Sequence, residues 1–219
     1  MRKQAIVIGL GQFGMSLARS LAQKNVEVLA VDQNEDLVRA AAAFAAEAVS
    51  FDATDEQQLA RTSPTRRDLS IVAIGNESRE DSIICTALLR QMGAKRIVGR
   101  ATDPLHDRIL HLVGAHEVVN PEQAFGERFA AHLLYAGVID EIRLGKDLSI
   151  TELRAPRSFV GRTLIDLQLP TRHGLTVIAV RREATDQVIL PKPDEPIVEG
   201  DILVVVAKPD AITQLGERV

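Results

Sequence analysis

The sequence predicts an α/β protein: a Rossmann-like, doubly wound parallel sheet followed by a smaller α+β domain. As far as Asn120, short and nearly continuous apolar runs alternate with longer amphipathic stretches. Apolar runs bounded by Gly, Asp or Asn are typical of strands buried on both faces, and their alternation with helices predicts right-handed βαβ units. Beyond Gly145 the pattern changes to an alternation of apolar and polar residues, which is typical of half-buried strands.

Six strands with intervening helices are predicted in the first part of the chain. The predicted strands are Ala5–Gly9, Val26–Val31, Ala48–Phe51, Leu69–Ile74, Arg96–Gly99 and Glu117–Val119. The first helix has one apolar face, formed by Gly14, Leu17, Ala18 and Leu21. Three later helices begin after a possible N-cap residue, namely Asn34, Ser78 and Asp103.

The chain is expected to divide into two domains, residues 1–136 and residues 146–219, with a junction at 137–145. The first domain would end with a helix from Pro121 to about Tyr135, and the junction contains two glycines and residues of mixed polarity. The second domain has four predicted strands, a short helix and a closing helix, at Leu148–Leu153, Leu175–Arg181, Gln187–Leu190, Asp201–Ala207, Thr163–Leu169 and Pro209–Gly216. At about 75 residues it has a marginal size for its own core, so we expect it to pack on the first domain or on a second copy.

Composition excludes several classes of protein. The 219 residues carry 26 Lys and Arg against 30 Asp and Glu, and this net charge of −4 argues against nucleic-acid binding. Cys85 is the sole cysteine, so no internal disulfide and no multi-cysteine metal site is expected. Neither a membrane span nor a signal peptide is recognisable, so a cytoplasmic location is expected.

A glycine motif follows the first predicted strand and opens the first predicted helix. Residues 9–14, Gly-Leu-Gly-Gln-Phe-Gly, have the pattern G-x-G-x-x-G. Gly9 permits the tight turn, Gly11 lets a pyrophosphate approach the backbone, and Gly14 allows close packing of helix and strand. Asp32 ends the second strand, where its carboxylate can accept hydrogen bonds from ribose hydroxyls. The motif predicts a nucleotide site, and the alternative is a glycine turn kept only for packing.

Other polar residues follow the strands at the same edge of the sheet, where ligands bind in doubly wound folds. Asp52 follows the third strand and is either a ligand for the adenine amine or a cap of the next helix. Arg100 follows the fifth strand, where its guanidinium can bind a phosphate. Arg100 and Glu122 could equally form an ion pair with each other or be surface charges. The complete set of candidate nucleotide-binding residues is Gly9, Gly11, Gln12, Phe13, Gly14, Asp32, Gln33, Asp52, Ala53, Ile74, Gly75, Asn76 and Arg100.

The sequence closely resembles the TrkA/KtrA-type regulatory subunits of bacterial potassium-uptake systems, which have the RCK fold with TrkA-N and TrkA-C domains. The matching segments are residues 5–14, 28–32, 52–54, 71–75, 114–115, 119–122, 166–167 and 200–205. The resemblance implies a subunit that binds ATP, ADP or NAD(H) and is not an enzyme. It also implies a homodimer that assembles into an octameric ring on the inner face of the membrane. There the ring would gate a potassium-translocating subunit of Trk or Ktr type.

The resemblance also suggests roles for individual residues. Asp32 would hold the ribose and Asp52 the adenine, and Glu122 corresponds to a carboxylate that in some relatives binds a divalent cation at the dimer interface. Gln12 departs from the arginine of many relatives, which puts discrimination between ATP and ADP through this position in doubt. Residues 169–173 diverge from the stretch associated with cyclic di-AMP, so binding of that ligand is not expected.

The main alternative is an NAD-dependent oxidoreductase, because such enzymes have the same glycine motif. A dehydrogenase needs a second region with an acid or base near the nicotinamide. The residues after the junction include one His and no Cys or Tyr. The gating ring of a one-chain channel would require membrane helices in the same polypeptide. Three histidines, His106, His111 and His116, have a spacing of five, which places them on different helix faces and does not indicate a metal site.

Overall fold

The computed structural model describes residues 2–75, 78–134, 137–145, 147–208 and 211. It divides into two compact units, Met1–Glu122 and Gln123–Val219. The first unit is a six-stranded parallel sheet with the strand order β3-β2-β1-β4-β5-β6. Its strands are β1 (Gln4–Ile8), β2 (Glu27–Asp32), β3 (Glu47–Ser50), β4 (Leu69–Val72), β5 (Ile97–Arg100) and β6 (Glu117–Val119). The predicted doubly wound sheet is therefore confirmed.

Five helices alternate with these strands. They are α1 (Gln12–Gln23), α2 (Glu35–Ala41), α3 (Glu56–Arg61), α4 (Arg79–Gln91) and α5 (Pro104–Leu112). Asn34 and Asp103 cap α2 and α5 through their side chains, as predicted, whereas Ser78 makes no side-chain cap to α4. One apolar cluster packs α3 and α4 against the sheet and another packs α1 and α2, so the central strands are buried on both faces.

The second unit contains helix α6 and a five-stranded antiparallel sheet with the order β10-β9-β11-β8-β7. The helix α6 runs from Pro121 to Leu134, and its residues from Gln123 onward belong to this unit. The strands are β7 (Val138–Leu144), β8 (Leu148–Arg154), β9 (Thr176–Arg182), β10 (Gln187–Ile189) and β11 (Ile202–Ala207). Four of the five strands correspond to the predicted ones.

Strand β7 lies where the sequence predicts the junction. The two glycines that suggested a linker, Gly137 and Gly145, flank the strand in the left-handed region, with φ of 90° and 76°. Glycine adopts this region without a steric penalty, so these residues form turns at the two ends of β7. The exact domain limits, 1–136 and 146–219, remain a prediction.

The predicted helix Thr163–Leu169 is divided into two short helices, α7 (Leu164–Leu167) and α8 (Leu169–His173). Gln168 separates them with a φ of 48°. Thr163 and Asp166 form a reciprocal capping box at the start of α7, and Pro170 lies in the first turn of α8, where its missing N–H costs nothing. The predicted closing helix, residues 209–216, lies outside the described part of the chain apart from Ala211.

The second unit has its own apolar core. Among its described residues, twelve buried ones form one cluster, which includes Phe159, Leu175 and Leu203. Asp201 is only 2% exposed, and its carboxylate accepts a hydrogen bond from the backbone N–H of Val198 and pairs with Arg182. A buried carboxylate that is paired in this way does not carry the full cost of desolvation.

An alanine substitution in α1 tests the close packing of this helix, and a second one in α6 is its control. A Cβ atom at Gly14 would lie 1.8 Å from the carbonyl oxygen of Gly9, so Gly14→Ala forces the helix away from the strand. We expect a loss of about 2 kcal/mol or more in the free energy of unfolding. Gly126 lies in α6, where a Cβ atom would have no other atom within 4 Å, and Gly126→Ala should stabilise the protein by up to about 1 kcal/mol. Urea denaturation measures both changes, and equal effects would contradict the packing argument.

Candidate functional site

A crevice of about 520 Å³ lies at the carboxyl edge of the parallel sheet in the first unit. It is lined by residues from the ends of β1 to β5 and from the segments that follow them. The lining residues are Ile8, Gly9, Gly11, Val31, Asp32, Gln33, Asn34, Leu37, Phe51, Asp52, Ala53, Thr54, Ala73, Ile74, Gly75, Ser78, Asp81 and Arg100. The strand order reverses at β1, between β2 and β4, which is the position where doubly wound sheets bind ligands.

The three glycines of the motif differ in whether packing requires a glycine at their position. Gly9 has a φ of 90°, and a Cβ atom there would lie 2.8 Å from the backbone nitrogen of Ile74. Gly14 packs against the carbonyl of Gly9. Gly11 has an ordinary φ of −60°, and no atom lies within 4 Å of the position of a Cβ atom. Packing therefore explains Gly9 and Gly14 but not Gly11, whose missing side chain leaves space on the crevice wall.

Gly11 is also the N-cap of α1. The first backbone N–H groups of a helix have no partner within it, and they carry the positive end of the helix dipole. At this place the groups adjoin the crevice, so the arrangement can bind an anion such as a phosphate.

Asp32 connects the glycine loop to the turn after β2 by hydrogen bonds. Its Oδ2 accepts a hydrogen bond of 2.6 Å from the backbone N–H of Leu10, and its Oδ1 accepts one of 2.8 Å from the N–H of Asn34. A carboxylate has about four acceptor positions, so these bonds leave capacity for ligand hydroxyls. The carboxylate that the sequence assigns to the ribose thus also has a structural role that the motif did not reveal.

Asp52 is not the cap of α3. Asp55 is, because its Oδ1 accepts from the backbone N–H groups of Gln57 and Gln58. Oδ1 of Asp52 instead accepts from the N–H and the hydroxyl of Thr54, at 2.9 and 2.7 Å. These bonds favour the charged form and lower the pKa of Asp52 below its ordinary value. Asp52 is therefore ionised at neutral pH on the crevice wall.

Arg100 reaches the crevice from the end of β5 and pairs with Glu122. Its guanidinium lies 5.6 Å from the centre of the Phe13 ring, and its side chain is 14% exposed. The Nε atom of Arg100 is buried and has no hydrogen-bond partner among the described residues. Of the two alternatives for Arg100 and Glu122, the ion pair is the one that forms, and the guanidinium still has N–H groups available for a ligand.

The structure brings nine of the thirteen candidate residues to the crevice wall. They are Gly9, Gly11, Asp32, Gln33, Asp52, Ala53, Ile74, Gly75 and Arg100. Three others do not line it: Gln12 is exposed at the start of α1, Phe13 lies beneath Arg100, and Gly14 packs against Gly9. Asn76 lies outside the described residues. Whether the nine residues bind a nucleotide remains a prediction.

Sequence reasoning missed several wall residues. Phe51 and Leu37 add apolar surface, and Thr54 orients Asp52, whereas Ser78 and Asp81 come from the start of α4. Thr54 follows Asp52 by two residues, the spacing of a local side-chain turn, and could have been found. Asp81 resembles any acidic residue in the first turn of a helix, so its position on the wall needed the fold.

No group of three or more His, Cys, Asp or Glu residues that could hold a metal ion occurs among the described residues. Two of the three histidines with a spacing of five have structural roles or surroundings of their own. His106 is 2% exposed, and burial lowers its pKa, with Arg79 adding to the effect, while Nδ1 of His116 accepts from the N–H of Ile97. Cys85 is fully buried in α4, and this burial raises the pKa of its thiol to about 12, so it is not a nucleophile.

None of the described helices is both long enough and apolar enough to span a membrane.

Comparison with family models decides the relationship. The model of the TrkA-N domain matches residues 5–121, and that of the TrkA-C domain matches residues 150–219. The chain belongs to the TrkA-N domain family. With its TrkA-C segment it has both domains that the resemblance indicates.

Two relatives in Bacillus subtilis (strain 168) are similar over nearly the whole chain. The Ktr system potassium uptake protein C is 34% identical over 219 residues, which cover 100% of this chain and 98% of the relative. The Ktr system potassium uptake protein A is 36% identical over 203 residues, 93% of this chain and 90% of the relative. The family match and these potassium-uptake relatives confirm the predicted resemblance to the TrkA/KtrA type.

A solved structure supports the fold. The GsuK channel bound to NAD matches with a TM-score of 0.66 and 21% identity, over 98% of this chain and 39% of that one. The chain thus spans about two fifths of that channel, and at this identity the likeness shows the fold alone.

Removing the hydroxyl of Thr54 tests the electrostatics of the crevice. In Thr54→Val the carboxylate of Asp52 loses one hydrogen bond that favours its charged form, so its pKa should rise towards the ordinary value. Carboxyl ¹³C NMR titration measures the change. The pKa of Asp166, which Thr163 lowers in the same way at a different place, should stay constant.

The direction of the pKa shift of Asp52 also predicts how the substitution changes the pH dependence of stability. The folded-state pKa of Asp52 lies below the unfolded value, so its contribution is fully present above the unfolded pKa and is lost as the pH falls through the folded pKa. The variant should therefore lose this contribution at a higher pH than the wild type. An unchanged pKa of Asp52 in the variant would contradict the assignment.

Proposed function

We propose that this chain is a nucleotide-sensing regulatory subunit that gates a membrane potassium-translocating subunit of Trk or Ktr type. The ligand would be an adenine nucleotide, either ATP or ADP, or else NAD(H). The protein would act at the inner face of the membrane, held there by its partner, and would carry out no reaction. The single observation that carries the proposal is the open space at Gly11, which packing does not explain.

The crevice fits the parts of such a ligand. The start of α1 with Gly11 would receive the phosphates together with the N–H groups of Arg100, and the buried Nε of Arg100 supports a role in binding. Asp32 would accept from the ribose hydroxyls and Asp52 from the base. The potassium-uptake relatives provide the link from this site to transport.

An exposed apolar face on α6 supports the assembly that a gating role requires. Along α6, large apolar side chains are exposed, including Phe125 at 66% and Leu133 at 69%, and the rings of Phe125 and Phe129 stack at 5.5 Å. A second copy that covers this face would form the homodimer, and dimers would form the octameric ring. A ligand can change the state of such an assembly only by binding its two conformations with different affinity.

A divalent cation at the dimer interface would use Glu122. In the described residues this carboxylate pairs with Arg100, and one chain contributes no group of three ligands around it. A cation would therefore need ligands from a second copy, and the single chain does not by itself fit a metal.

Nucleotide binding can be tested with a charge at Gly11. The Gly11→Asp variant should fold like the wild type, because residue 11 has an ordinary φ and no atom lies within 4 Å of the position of its Cβ atom. A carboxylate there should weaken binding of ADP, ATP and NAD by roughly 100-fold or more, since like charges placed together cost several kcal/mol. Isothermal titration calorimetry measures the affinities, with Gly126→Ala as the control. A wild type that binds none of these nucleotides would overturn the proposal.

Gating can be tested by reconstitution. Potassium flux into liposomes that contain a Trk or Ktr translocating subunit should depend on the added protein and change when one nucleotide replaces another. The Gly11→Asp variant should still associate but should not respond to nucleotide. Turnover of NAD with a small metabolite would instead favour the oxidoreductase.

A further inference from the structure

Two carboxylates from separate segments of the chain line the crevice. Asp52 comes from the segment after β3, and Asp81 lies in the first turn of α4. The neighbours of Asp52, Phe51 and Ala53, pack in the same apolar cluster as Cys85, which follows Asp81 by one helical turn. After burial itself, the charges of Asp52 and Asp81 are what raise the pKa of the Cys85 thiol. Both carboxylates thus line the same crevice, and the charges of both act on the same thiol.

Asp81 has no partner in the described part of the chain. Asp52 is held by Thr54, whereas no hydrogen bond or ion pair to another described residue engages the half-buried carboxylate of Asp81. An acidic residue in a first helical turn also favours the helix dipole. Glu80 can have that role from its exposed position, so the dipole does not explain why Asp81 lines the crevice.

The surroundings of the pair suit a flat base. Val31, Phe51 and Ile74 provide apolar wall on the same crevice, while both carboxylates can only accept hydrogen bonds. The amine at C6 of adenine has two hydrogens to donate. Hypoxanthine and guanine have at the same position an oxygen, which would face acceptors of like polarity.

We propose that Asp81, together with Asp52, determines the specificity of the crevice for the base, accepting a 6-amino purine and rejecting a 6-oxo purine. Asp52 is the residue to which the resemblance assigns the adenine, and Asp81 is a second acceptor that neither motif nor resemblance indicates. This inference rests on the proposed nucleotide site.

The test compares ADP with inosine diphosphate, which differs from ADP at positions 6 and 1 of the base. Titration calorimetry with the full chain should give a preference for ADP of about ten-fold or more, as expected for hydrogen bonds to charged acceptors. In Asp81→Asn the side-chain amide can donate to the 6-oxo group, so the preference should fall at least about three-fold. Glu80→Gln removes the same charge from the same helical turn, and its preference should equal that of the wild type.

The outcomes separate the two claims. If the wild type binds neither diphosphate, the proposed nucleotide site fails. If it binds ADP but prefers it no more than inosine diphosphate, or if Asp81→Asn leaves the preference unchanged, the role of Asp81 is overturned and the site stands. If circular dichroism shows that Asp81→Asn does not fold, Asp81→Ala answers the same question. This variant must weaken the binding of ADP more than the binding of inosine diphosphate.

Discussion

The close approach of α1 to β1 is the constraint on which the rest of the first unit depends. Gly14 lies so near the carbonyl of Gly9 that no side chain fits between them, and Gly9 in turn lies against the backbone at Ile74. These two contacts fix the loop between β1 and α1. As a consequence, the helix begins at the centre of the sheet edge, and Gly11 faces an open crevice.

Asp32 extends this constraint to the neighbouring strand. Its two oxygens bind the N–H groups of Leu10 and Asn34, so the glycine loop and the turn after β2 are held as one piece. A ligand that engages Asp32 therefore acts on both segments. In the proposed function, this connection would let a nucleotide bound at the loop influence the contacts between copies of the chain.

The fold could be predicted largely from the sequence, because six buried strands and their intervening helices each have a local signal. Strand β7 was missed since its flanking glycines resemble a linker, and the break at Gln168 has no marker of the glycine kind. In the site, the spacing of the motif indicates Gly9, Gly11 and Gly14. The ion pair of Arg100 with Glu122 and the position of Asp81 depend on contacts between distant segments, which a sequence pattern does not contain.

In the proposed function, the backbone of the glycine loop binds the phosphates of an adenine nucleotide. Amide ¹H–¹⁵N NMR of the labelled chain during addition of ADP tests it most directly. If the loop binds the phosphates, the largest shifts occur at the amides of residues 11–14 and smaller ones beside Asp32 and Asp52, while the amide resonances of β8 to β11 do not shift. Shifts confined to the second unit, with the loop amides unmoved, would contradict it.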